Sequence, residues 1–129
     1  MRNYVGTKEV KALPMTMGEA YDEGLLQAGR VPKATERDNP GYKVLYIDGY
    51  VSWSPKEPFE QAYRLNDSLK DKLSIEKEDL KNRYIKISLL IQSDQFKEIK
   101  DKEQKDLLIR QHSVMKDYLN VLSERIDKL

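Results

Sequence analysis

Apolar and polar residues follow two different periods along this chain. Between Gly41 and Arg64 the first period is two. Tyr42–Ile47 and Tyr50–Ser54 are rich in the β-branched and aromatic residues that suit a pleated surface. Asp48-Gly49 separates them and predicts a two-residue hairpin turn with φ > 0 at both positions. That register puts Val44 and Tyr46 on one face with Val51 and Trp53. Leu45 and Ile47 then share the other face with Tyr50 and Ser52. Both faces carry apolar groups, so both are expected to be covered. Ser54-Pro55-Lys56-Glu57 follows as an N-cap, a proline at the first helical position and a carboxylate at the third, a capping box that opens a helix. Pro58 also fits only in the first turn.

Upstream, Asn3–Leu13 alternates loosely and predicts a first strand, ended by Pro14. Thr16-Met17-Gly18-Glu19 is another capping box and predicts a short helix through about Gln27. Ala28–Pro40 is loop, broken by Gly29, Pro32, Asn39 and Pro40. Arg30, Lys33 and Arg37 make this loop basic, either as solvated surface or as a flap that contacts anions.

The period changes near Asn66–Ser68. From Leu69 to Leu129 there is no proline or glycine. Leu73, Leu80, Tyr84, Ile87 and Ile91 recur at helical spacing, and Leu108, Met115, Leu119, Leu122, Ile126 and Leu129 form a second stripe. Gln92–Lys100 interrupts the pattern, and Asp101-Lys102-Glu103-Gln104 restarts it with Asp101 as cap. Two helices of roughly 35–45 Å with a short connection predict an antiparallel helical hairpin. Leu89, Leu90, Leu107, Ile109 and Val121 lie off or beside the shared seam. Helices of other subunits are the economical cover, so a symmetric homo-oligomer is expected. The fold class is α+β: residues 1–67 form a small antiparallel sheet with short helices, and residues 68–129 form a long helical hairpin that oligomerises. The two parts are expected to act as one interlocked unit.

Composition narrows the function. At 39% hydrophobic and 35% charged, the chain suits a small fold with long exposed helices. A net charge of +1 gives no global drive toward DNA, RNA or a membrane surface. No cysteine is present, which removes disulfides, thiol nucleophiles and cysteine-held metals, and fits a reducing cytoplasm. No apolar run approaches the ~20 residues that span a bilayer.

Catalytic signals are missing. His112 is the single histidine, with no orienting partner evident in sequence. Carboxylates alternate with lysines, as in Glu76-Lys77-Glu78-Asp79, which describes an ion-paired helix face. The glycines are scattered, so no phosphate loop forms. No catalytic residue, metal site or cofactor is expected.

Binding signals are better. Trp53 is the single tryptophan, either packed in the core or offered as a stacking surface for a base. Arg64 ends the middle helix, where it caps carbonyls or meets an anion. Gln111, Val114, Tyr118, Val121 and Arg125 form one face of the last helix, flanked by Arg110. Such a face packs against another subunit or holds a phosphorylated nucleotide between subunits. Asn82, Arg83 and Ser93 offer similar chemistry from the preceding helix.

These residues carry a family resemblance. Tyr4-Val5-Gly6-Thr7-Lys8, Lys11-Ala12-Leu13-Pro14-Met15-Thr16, Gly41-Tyr42-Lys43-Val44, the run Asp48–Lys56, and Phe59-Glu60-Gln61-Ala62-Tyr63-Arg64 are similar to a group of small bacteriophage proteins. The pattern Arg110-Gln111, Met115, Tyr118, Leu122 and Glu124-Arg125-Ile126 resembles a helical phage module that occurs alone in the second family of anti-CBASS sponges. The combination resembles the first family of Thoeris anti-defence proteins and covers nearly the whole chain.

The resemblance implies a sponge, acting in the cytoplasm of the infected bacterial host. Such proteins bind cyclic ADP-ribose isomers made by TIR-domain enzymes, without cleaving them, and keep the effector off. They assemble as dimers or hexamers, and some bind cyclic oligonucleotides of CBASS at separate sites. Arg110 carries over through the shared Arg-Gln motif. Arg83 and Ser93 stand where the family pattern would have an aromatic and an amide, so adenine stacking is not implied at those positions. The alternative function is a phage structural or adaptor protein that binds a host protein through its helical surface.

Overall fold

The computed structural model describes residues 1–129. The fold is α+β: a small antiparallel sheet with short helices, then a long pair of C-terminal helices. The chain divides into two compact units, Met1–Arg64 and Leu65–Leu129.

In the first unit the sheet order is β1-β2-β3, with β1 at Lys11–Pro14, β2 at Gly41–Leu45 and β3 at Val51–Pro55, all antiparallel. The expected strand over Asn3–Leu13 is reduced to β1, and residues 1–10 have no regular structure. The cause is the partner's length. Lys11 pairs with Leu45, the last residue of β2, so nothing further out can form a ladder.

The hairpin forms, but with a different turn. Ile47, Asp48 and Gly49 make a three-residue loop: Tyr46 donates its N–H to the Tyr50 carbonyl, and Gly49 donates to Tyr46 (both 2.9 Å). Only Gly49 has positive φ (90°), as in a type I turn closed by a glycine bulge. Asp48 instead accepts the Tyr50 N–H through its carboxylate at 3.0 Å. The extra loop residue slips the register by one. Val44 now faces Ser52 and Lys43 faces Trp53, so Val44 and Trp53 lie on opposite faces rather than one.

Each face carries a helix, while Leu45, Ile47 and Tyr50 at the turn end stay exposed, against the expected cover. Helix α1, Met17–Asp22, approaches the Lys43 and Trp53 side, where Lys43 meets Glu23 at 3.0 Å. Thr16 caps α1 by accepting the Glu19 N–H at 3.2 Å. The helix stops well short of Gln27. Gly24, with φ 74°, donates to Tyr21 while Leu25 donates to Ala20, which is the paired-bond termination that a left-handed glycine allows. Helix α2, Lys56–Ala62, covers the opposite face. Phe59 stacks on Tyr42 with ring centres 4.3 Å apart, and Tyr42 donates its hydroxyl to Glu60 at 2.7 Å. Ser54 is not the cap of α2. Tyr42 pairs with Ser54 and Gly41 with Pro55, so the ladder holds Ser54 in the strand, and Pro55 occupies the cap position without a side-chain bond. Met15, Met17, Ala20 and Val44 form the buried core of this unit.

In the second unit α3 spans Leu69–Ile91, α4 spans Asp94–Glu98 and α5 spans Lys102–Asp127. Ser68 and Asp71 form a reciprocal capping box at the start of α3. Asp101 caps α5 by accepting the Gln104 N–H at 3.2 Å, and α4 is a single turn inside the expected interruption. At 1.5 Å per residue the long helices measure about 34 and 39 Å. They run antiparallel around Leu73, Leu80, Met115 and Leu122, with Tyr84, Ile87, Leu119 and Ile126 packed alongside. Leu129, expected in the stripe, is exposed. No helix is long and apolar enough to cross a membrane.

Candidate ligand-binding site

The seam of the helical unit leaves two flanks, and they differ in chemistry. One flank holds His112. Its Nε2 lies 2.6 Å from the Ser88 hydroxyl, and its ring stacks on Tyr84 at 4.5 Å. Ser88 gives its own proton to the Tyr84 carbonyl at 2.9 Å. A hydroxyl has one proton, so Nε2 carries the hydrogen of the Ser88–His112 bond. Ser88 is therefore a half-buried acceptor with its proton committed, and this arrangement is a packing clasp. Ser88 and His112 lie 24 residues apart and meet only through the packing of α3 on α5, which no local pattern signals.

The other flank gathers most of the expected binding residues. Spacing of three and four places Lys72, Glu76, Asp79 and Arg83 along α3, and Gln111, Tyr118 and Arg125 along α5. Across the seam the Tyr118 hydroxyl neighbours the Glu76 carboxylate, whose pull on the phenol proton raises the Tyr118 pKa above its ordinary value, while Arg125 acts in the opposite sense. Lys72, Ile75, Glu76, Asp79, Leu80, Arg83 and Tyr118 surround an open depression of about 420 Å³. A second, about 410 Å³, lies over Leu107, Arg110, Gln111, Val114 and Met115. Both are shallow and face outward.

The remaining candidates lie elsewhere. Asn82 is exposed on α3 and lines neither depression. Ser93 precedes α4 and donates its hydroxyl to Leu90 at 2.6 Å. Trp53 and Arg64 belong to the first unit. The Trp53 indole N–H donates to the Met15 carbonyl at 2.8 Å, and its ring lies against Gly41. Two cations of the basic loop are paired: Arg30 meets Glu36 within the loop and Arg37 meets Asp22 at the end of α1, each at 2.7 Å. Glu76 and Asp79, part of the expected solvated and ion-paired helix face, border the first open depression. Their spacing from Lys72 and Arg83 was the available signal.

The site contains arginines, an amide, a phenol and carboxylates, but no group of residues that could hold a metal ion. It can pair with phosphate, accept hydroxyl donors and offer an aromatic face. It cannot enclose a nucleotide by itself, because small-molecule sites bury ~70–90% of their ligand and these depressions are open.

No curated protein and no solved structure matches the chain. Residues 67–128, which include α3, α4 and α5 entire, match the protein-family model described as Sequestin.

Proposed function

We propose that the protein is a non-catalytic sponge that binds and sequesters a cyclic nucleotide signal of the cyclic ADP-ribose type, so blocking activation of a Thoeris effector. Cyclic oligonucleotides of CBASS are candidates for a second site. One observation carries the reading: the segment that matches a family named for sequestration also carries the exposed face of Arg83, Arg110, Gln111, Tyr118 and Arg125. Arginines would pair with phosphates, Tyr118 would lie against the base or sugar, and Gln111 would read hydrogen-bonding edges.

The open shape of the site supports a homo-oligomer, dimer or hexamer, in which a second copy closes the pocket. Val114 and Val121, each more than half exposed, border the polar residues and would be covered in that assembly. A pocket preassembled from rigid helices loses little freedom on binding, which favours tight capture without turnover.

The test is incubation of the purified chain with cyclic ADP-ribose, its glycocyclic isomers and cyclic oligonucleotides. Thermal shift is followed by denaturation and mass spectrometry of the released ligand. Stabilisation with intact ligand supports the sponge. Altered ligand would make the protein an enzyme, and no stabilisation would favour the adaptor reading. Arg110→Ala should weaken binding while leaving assembly intact. Unchanged affinity in a folded Arg110→Ala protein removes that residue from the site.

A further inference from the structure

We propose that the flank of α5 bearing Leu107, Gln111, Val114, Tyr118, Val121 and Arg125 is the contact between two copies of this chain, packed antiparallel about a two-fold axis at Asp117. This rests on the homo-oligomer proposed above and adds the face, the direction and the register that the second copy takes.

The spacing points to a helix as occupant. The six positions alternate steps of four and three residues, over about 27 Å of helix from Leu107 to Arg125. That is the heptad pattern by which one helix seats another. It is separate from the stripe of Met115, Leu119, Leu122 and Ile126 that packs on α3. Leu107, Val114, Tyr118 and Val121 are 43–57% exposed, so this second seam is unfilled in the single chain. On the same flank α3 presents Lys72, Glu76, Asp79 and Arg83 around the first depression. An apolar row laid there would strip water from charges. The surface that matches the seam is therefore the same seam on a second α5, an isologous contact.

The end of the seam sets the direction. In a parallel pair Arg125 would lie against Arg125 of the partner subunit, two like charges at a seam position. An antiparallel pair instead sets Arg125 opposite the partner's Leu107, Gln111 opposite the partner's Val121 and Val114 opposite the partner's Tyr118, each twice by symmetry. Charges beside the seam then fix the register. Arg110, Asp117 and Glu124 recur every seven residues along its outer border, and none of them forms an ion pair within the chain. With the axis at Asp117, Arg110 meets the partner's Glu124 and Glu124 meets the partner's Arg110. Those two opposite-charge contacts outweigh the single approach of Asp117 to its own copy. A slip of one heptad in one direction brings Asp117 against Glu124 twice. In the other direction Glu103 meets Glu124 twice, which cancels the gain of Arg110 with Asp117.

This register also completes a site. The partner's Arg125 comes beside the depression over Leu107, Arg110, Gln111, Val114 and Met115, so each of two equivalent pockets holds an arginine from both copies. A guanidinium has five N–H donors, and Arg110 keeps some for a phosphate while it meets the partner's Glu124.

The experiment is sedimentation of the full chain over a concentration series, without ligand. Wild type is compared with Arg110→Glu, with Glu124→Arg, with an equimolar mixture of those two, and with Asp117→Asn, each checked for helix content by circular dichroism. All three positions are exposed, so the helices should survive. Each reversal alone sets like charges together twice and should weaken assembly by about ten- to a hundred-fold. The mixture restores opposite charges at both contacts and should assemble as wild type does. Asp117→Asn removes the repulsion on the axis and should tighten assembly by about two- to five-fold. Arg110→Ala only deletes an exposed pair, which contributes little, so assembly stands in that variant. Wild type that assembles yet ignores both reversals overturns this face and leaves the homo-oligomer standing. Reversals that the mixture does not rescue, or an Asp117→Asn protein that assembles no more tightly than wild type, overturn the antiparallel register. Wild type that stays monomeric throughout overturns both readings.

Discussion

Leu122→Ala tests whether the helical unit is held by the seam described above. Leu122 is 1% exposed and is the most buried of the four core side chains that join α3 to α5. The substitution removes three carbons, about 2.4 kcal/mol of transfer free energy at ~0.8 kcal/mol each. Any space left unfilled adds about 1 kcal/mol per ~40 Å³. A seam between two helices can partly close inward, so the cavity part should be small and the total about 3 kcal/mol. Urea unfolding followed by circular dichroism at 222 nm reports the long helices. With a slope of about 1.5 kcal/mol per molar, the midpoint should fall by about 2 M. Val121→Ala is the neighbouring control. Val121 is 52% exposed, and in an isolated chain its truncation should cost under about 0.5 kcal/mol. A larger Val121 effect that grows with protein concentration would show that another copy covers this face. A Leu122→Ala loss below about 1 kcal/mol would refute the assigned seam.

Other consequences can be checked in the same way. Gly41→Ala should destabilise the first unit by about 1–3 kcal/mol or more, because the new Cβ would overlap the Ser54 carbonyl oxygen and the Trp53 ring. Trp53 fluorescence in urea reads the loss. Trp53→Phe leaves the Met15 carbonyl without its indole donor and should cost about 1–2 kcal/mol, seen as faster hydrogen exchange of the β2 amides. Asp71 gives a pH dependence. The Ser68 backbone N–H, joined by that of Asp67, holds its carboxyl below the ordinary carboxylate range. The cap's contribution is therefore complete above the unfolded-state pKa, near ~3.9, and is lost as pH falls through the lower folded value. Thermal melting should lose a step between pH 5 and pH 2 in wild type that Asp71→Asn does not show.

The long helices were legible in sequence because their signal is redundant. Leu73, Leu80, Met115 and Leu122 repeat one period over many turns, and Asp101 marks a start. The hairpin was legible as a hairpin, but its turn was not. Asp48-Gly49 suits a two-residue turn, and it suits equally the last two positions of a three-residue loop with the glycine bulge. That choice depends on which register buries Val44 and lets Trp53 lie over Gly41 and reach Met15, contacts made only by the assembled sheet. The same limit applied to β1. Residues 3–10 have strand character, but a strand needs a partner, and β2 turns away at Tyr46. Ser54 departs from the expected cap for a related reason: a good N-cap residue is also compatible with a strand when the ladder continues past it. At the candidate site, the sequence identified one helical face with Gln111, Tyr118 and Arg125. It did not identify Glu76 and Asp79 as their counterparts, because cross-helix pairing depends on how the two long helices are aligned.

That alignment is set by polar groups as much as by the seam. Apolar side chains along two helices can interdigitate in neighbouring registers at similar energy, since leucine contacts are not directional. The Ser88–His112 bond is directional. Sliding α5 by one turn, about 5.4 Å, would break it and part the half-buried Ser88 and His112. The bond thus favours the register that brings Tyr118 beside Arg83, Glu76 and Asp79. The binding face is a product of that register: the residues that would meet a ligand occur on separate helices, and a polar clasp facing away from them keeps them together.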